Sequence, residues 1–112
     1  MTVQVEDSDF EPDGVLRCGP LLPGDATTVP DPLVLVEVLS PDSGTTDRAT
    51  KLRAYSRLAT VQHYLIVWPD EQRIVRHSRL PNGELATQVF ASGEITLEPP
   101  GIAVTVAEFY LD

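Results

Sequence analysis

Residues 33–40 read Leu33-Val34-Leu35-Val36-Glu37-Val38-Leu39-Ser40. They are apolar on both faces and rich in β-branched side chains, the pattern of a central strand covered on both sides. After the Pro41 to Gly44 loop, Thr45 or Thr46 can cap a helix running to about Ala59, with Asp47 in the first turn where the helix dipole favours an anion. Tyr64 to Trp68 predicts a second buried strand, stopped by Pro69. Strand, helix and strand in this order form a βαβ crossover, with parallel strands and a right-handed connection. Upstream, Gly14 to Cys18 reads as a short strand opened by Pro12 and Asp13. Downstream, Gln72 to Leu80 and Glu84 to Ala91 flank Pro81-Asn82-Gly83, where Asn-Gly can supply the positive φ angles of a tight hairpin turn. A last strand near Ile102 to Val106 and a helical end at Ala107 to Leu111 complete a mixed sheet. Pro20 to Pro32 and Pro99 to Gly101 are loops.

The chain has 112 residues, a length that sets the expectation at one domain. Its 42% hydrophobic content supplies a core without disulfides. Cys18 is its single cysteine, and no Cys/His cluster has zinc-ligand spacing, so a cytoplasmic setting is expected. The start is acidic, without a basic region followed by an apolar one, and no apolar run approaches the ~18 residues of a membrane span.

Charge is segregated along the chain. Seventeen acids against eight bases give −9 overall. Residues 1–47 hold ten acids and one base, Arg17, whereas Arg48 to Arg79 holds seven bases against Asp70 and Glu71, a net of +5. A globally acidic protein is a poor nonspecific DNA binder, yet one basic face can still meet a phosphate backbone.

Three residues break the local pattern. Side chains alternate across a strand, so Glu37 shares a face with Leu33, Leu35 and Leu39. A carboxylate there needs a proton, a cationic partner or a metal. On the helical wheel Lys51 falls inside the apolar arc of Ala54, Tyr55 and Leu58, while Thr50, Arg53, Ser56, Arg57 and Thr60 form the solvated side. Snorkelling of its stem is the structural alternative. The crossover folds the helix over the strand, so Glu37 and Lys51 can meet. The third residue, Asp13, stands at the mouth of the first strand, where an ordinary turn role competes with a functional one. Two carboxylates and a lysine converging on one sheet edge suit metal-assisted phosphodiester hydrolysis. Carboxylates hold Mg²⁺, the metal polarises phosphate and acidifies water, and the lysine orients that water or meets the developing charge. His63 and His77 lack partners at ligand spacing and read as sheet or surface residues. Ser40 and Ser43 lack a nucleophile elbow.

These words in this order resemble the Uma-two family of restriction-endonuclease-like proteins, within the PD-(D/E)XK nuclease superfamily. The carriers are Glu11-Pro12-Asp13 before a strand, Val36-Glu37-Val38-Leu39-Ser40-Pro41, Asp47, Lys51 and Tyr55 in the helix, and Tyr64-Leu65-Ile66-Val67 with the hairpin after it. The resemblance implies an α/β restriction-endonuclease-like core with Asp13 and Glu37 as ligands of Mg²⁺ or Mn²⁺ and Lys51 as the catalytic lysine. In the superfamily that lysine often stands two residues after the acid, a place held here by Leu39; the family carries it on the helix instead. Asp47 and Tyr55 match recurring positions that would support the ligands from behind. Family members usually carry a longer segment before the Pro-Asp motif, including helices and a further acidic residue of the site, so the expectation is either a fragment or a reduced member whose site and sheet edge are incomplete.

Two functions follow as expectations. The first is a metal-dependent endonuclease acting on DNA, with the basic segment Arg48 to Arg79 meeting the backbone. The second is a non-catalytic nuclease fold serving as an oligomerisation or interaction module. In either case a short front leaves a sheet edge or core face uncovered, and a homodimer or higher oligomer is expected.

Overall fold

A computed structural model describes residues 2–6, 8–18, 22–40 and 45–110, with helix side chains described from Arg48 onward. The elements are β1 (Val3–Val5), β2 (Ser8–Phe10), β3 (Gly14–Leu16), β4 (Val34–Val38), α1 (Thr45–Ser56), β5 (His63–Trp68), β6 (Arg73–Arg79), β7 (Leu85–Phe90), β8 (Glu94–Leu97), β9 (Ile102–Thr105) and a final 3₁₀ turn at Val106–Tyr110. The main sheet runs β3-β4-β5-β6-β7. Strands β4 and β5 are parallel, with Glu37 opposite Ile66 and Val38 opposite Val67, and all other neighbours are antiparallel. The fold is therefore the expected α/β one, a mixed sheet with a βαβ crossover and a hairpin in its C-terminal half.

Both faces of the central strands are covered, which is why β4 and β5 are apolar except at Glu37 and His63. Alternation sends Leu35, Tyr64 and Ile66 to one side, where they pack with Ala54 and Tyr55 of α1 and with Val3 and Val5 of β1. Val34, Leu65, Val67 and Ile74 go to the other side, onto Ile95 and Leu97 of β8 and Val106. At about 25 cal/mol per Å² of apolar surface, each such side chain contributes on the order of 2 kcal/mol of burial. The β1–β2 and β8–β9 hairpins are thus lids on opposite faces. Neither β1–β2 nor β8 is anticipated by the sequence reading. Their apolar signals are short: Val3 with Val5 and a lone Phe10 in the first hairpin, and Ile95 with Leu97 in β8.

Element ends differ from expectation for local reasons. The helix stops at Ser56 rather than Ala59 because Arg57 and Leu58 donate to the carbonyls three residues back, tightening the last turn. Arg79 then donates Nη2 to the Ser56 and Leu58 carbonyls and Nε to that of Val61, so a cation closes the negative end of α1. The β6–β7 turn places only Gly83 at positive φ, not Asn82 as well. Pro81 fixes its own φ near −65°, the Gly83 N–H bonds back to the Leu80 carbonyl, and the left-handed residue is taken by glycine alone.

Candidate active site

The parallel pair brings the C-terminal ends of β4 and β5 together at one edge of the sheet, and antiparallel β3 starts at that same edge. Gly14 lies opposite Val36, so the residue before it, Asp13, comes alongside Glu37. Its Oδ2 accepts the backbone N–H of Val38 at 2.7 Å, which locks the Pro12-Asp13 corner onto the end of β4. Asp13 itself is exposed.

Glu37 is only 7% exposed. Its Oε1 accepts the Tyr55 hydroxyl at 3.0 Å and its Oε2 faces the Lys51 ammonium at 3.5 Å. Both donors come from α1. Lys51 and Tyr55 are four residues apart, so they stand one above the other on the helix face that crosses β4. The Tyr55 ring is held edge-on by Phe10 at 5.3 Å and Tyr64 at 5.0 Å between ring centres, which fixes its hydroxyl on the carboxylate. Burial pushes the Glu37 carboxyl above its ordinary range. The Tyr55 hydrogen bond and the Lys51 charge pull it back in part, and the neighbouring Asp13 charge adds to the rise. The protein thus spends core volume to hold a carboxylate that resists ionisation.

Glu37, Lys51, Tyr55 and Asp13 are therefore gathered at one place, as the sequence pattern requires. The side chain of Asp47 lies outside the described residues. His63 and His77 are sheet residues, bonded to Ser78 Oγ and Thr87 Oγ1 of the neighbouring strands and away from this edge. Among the described residues no group of three His, Cys, Asp or Glu side chains could by itself enclose a metal ion. The chemistry of the two carboxylates nonetheless fits a hard divalent cation. Mg²⁺ commonly takes one or two carboxylates and completes its shell with water and substrate oxygens. A cation between Asp13 and Glu37 would also offset the Asp13 charge that adds to the burial-driven rise of the Glu37 carboxyl.

Sequence reasoning missed the aromatic neighbour. Trp68 ends β5 on the same face as Ile66, the cross-strand partner of Glu37, and it meets two guanidiniums. The Arg48 carbon is 5.6 Å from the indole centre and that of Arg73 is 4.8 Å away. A lone tryptophan at a strand end carries no periodic signal, and only the register reveals what surrounds it.

The family model described as "Uma2: Putative restriction endonuclease" matches residues 1–107. No curated protein matches the chain. The fold is similar to that of a solved structure described as "a putative nuclease belonging to DUF820 from Anabaena variabilis ATCC 29413", with a TM-score of 0.69 at 16% identity, over 97% of this chain. This chain spans 64% of that one's length.

Proposed function

Because this chain belongs to the Uma2 family, we propose that it is a metal-dependent endonuclease that hydrolyses DNA phosphodiester bonds. The observation that carries this reading is the buried Glu37, held by Tyr55 and Lys51 beside Asp13 at the open end of a parallel strand pair. Asp13 and Glu37 would hold Mg²⁺ or Mn²⁺, which supplies Lewis acidity toward a phosphate oxygen and an acidified water. The chain's own residues do the rest. Tyr55 orients the Glu37 carboxylate by a fixed hydrogen bond. Lys51, about a quarter exposed at its side chain, stands between that carboxylate and solvent, where its ammonium can orient the attacking water or meet charge that develops on the phosphate. The Val38 N–H restrains one Asp13 oxygen and so aims the other lone pairs of this carboxylate outward. Water adds to phosphorus, one P–O ester bond breaks, and the leaving oxygen takes a proton. No helix of the described residues is long and apolar enough to cross a membrane.

The competing reading, a non-catalytic module, draws on the −9 net charge and on the Glu37–Lys51 pair, which is complete without a metal. Calorimetric titration with Mn²⁺ separates the two. The nuclease reading expects a single site that Asp13→Asn abolishes; absence of measurable binding to the wild type favours the module.

A further inference from the structure

We propose that Arg48, Trp68 and Arg73 form a clamp for the phosphate backbone of a polynucleotide, which feeds the strand across the Glu37 edge. The proposal rests on the nuclease reading and adds the residues that would grip the substrate. Trp68 follows Ile66 by two positions on β5, and Ile66 pairs with Glu37, so the indole lies about 7 Å further along the same face at ~3.3 Å per residue. Arg73 is its partner across the β5–β6 pair, and Arg48 is one helical turn before Lys51. Arg48 and Arg73 therefore flank the indole, with Lys51 one turn along α1 from Arg48.

Arg73 also pairs with the exposed Glu71 at 3.4 Å, and other cations of the +5 segment are placed elsewhere. Arg79 closes the end of α1. Arg76 lies beneath β8, donating to the Thr96 carbonyl and to Gln88 Oε1. Arg57 pairs with Glu6 at 3.7 Å. A guanidinium that lies over an aromatic ring uses its face for the ring and donates through its edge, the geometry suited to phosphate oxygens. The platform is also braced. The Tyr110 hydroxyl donates to the Trp68 carbonyl at 2.7 Å and accepts the Arg73 N–H at 3.0 Å, tying the strand ends that bear the clamp. Phosphate, rather than a base, is the group recognised, because both arginines already lie against the indole.

Trp68 is the chain's one tryptophan, so its emission reports this locus alone. The test is titration of the protein in EDTA with a labelled 20-base-pair duplex, followed by anisotropy and by Trp68 fluorescence over a range of salt concentrations. The expected result is that both signals share a midpoint. Arg48→Met and Arg73→Met should each weaken binding several-fold and each reduce the slope of log K against log salt by about 0.9, the loss of one phosphate contact. Arg53→Met, on the exposed side of α1, should leave both unchanged. Circular dichroism of each variant checks its fold, and methionine keeps an apolar stem against the indole. If the wild type binds and nicks DNA while both arginine variants match it in affinity and slope, the clamp is overturned and the nuclease reading stands. If the wild type neither binds nor nicks, both fall. Equal binding of a polyglutamate of matched charge would show a general anion surface and would also overturn the clamp.

Discussion

Glu37 is the residue at which the folding and the chemistry of this chain oppose each other. Its carboxyl titrates above the ordinary value of 4.5 because burial outweighs the help it receives from Tyr55 and Lys51. Between 4.5 and that raised value the folded state binds more protons than the unfolded one, so in the metal-free protein this group's contribution to stability falls as pH rises. Glu37→Gln should therefore melt at a higher temperature than the wild type at pH 7 in EDTA, by an amount set by ~1.4 kcal/mol per pKa unit, and the gain should vanish below pH 4.5. His63 and His77 are pushed down by burial and act in the opposite sense, withdrawing stability as pH falls below 6.5. The Glu37 effect must then be read as the difference between the two melting curves. A Glu37→Gln protein less stable than wild type at pH 7 would contradict the assigned burden. At this scale the sequence is informative because violations of pattern are visible: a carboxylate among leucines and a lysine in an apolar arc. The Asp13 bond to the Val38 N–H is not visible, since it joins residues 25 apart through a register that only the folded sheet sets.

Among the elements, α1 is the one whose placement creates the site, and its end is held from another strand. Three carbonyls at or just beyond its last turn accept from Arg79 on β6. Arg79→Met should cost about 2 kcal/mol in urea denaturation, the scale of hydrogen bonds from a charged donor, while the exposed Arg53→Met should change stability by less than ~0.5 kcal/mol. Equal effects would remove Arg79 as the cap. The strand-helix-strand unit was readable because β4 and β5 are long, β-branched and apolar on both faces. The β1–β2 hairpin and β8 were not, because strands of three or four residues with at most two buried fall below what periodicity can distinguish. The β6–β7 hairpin was readable from its turn residues, though the proline imposed a different turn from the one Asn-Gly alone would favour.

For the whole molecule, the two hairpin lids cover the central strands of the sheet and leave two edge strands, β3 and β7. β7 presents Val89 at 61% exposure and Leu85 at 38%, an edge suited to pairing with a second copy. Light scattering is expected to give a dimer or larger, and Val89→Lys should shift it toward monomer; a 12.2 kDa species at high concentration would contradict this. The charge of the molecule also resolves only at this scale. A −9 protein argues against DNA, yet the fold sets Lys51 against Glu37 and both Arg48 and Arg73 over Trp68.

If Asp13, Glu37 and Lys51 form one hydrolytic centre, nicking of supercoiled plasmid in Mn²⁺ must depend on all three. The wild type and Arg53→Met should convert the plasmid to the open-circular form at equal rates, while Glu37→Ala and Lys51→Met should be slower by orders of magnitude with their folds intact. Nicking that persists unchanged in Glu37→Ala and Lys51→Met, or a wild type inert with either metal, would contradict it.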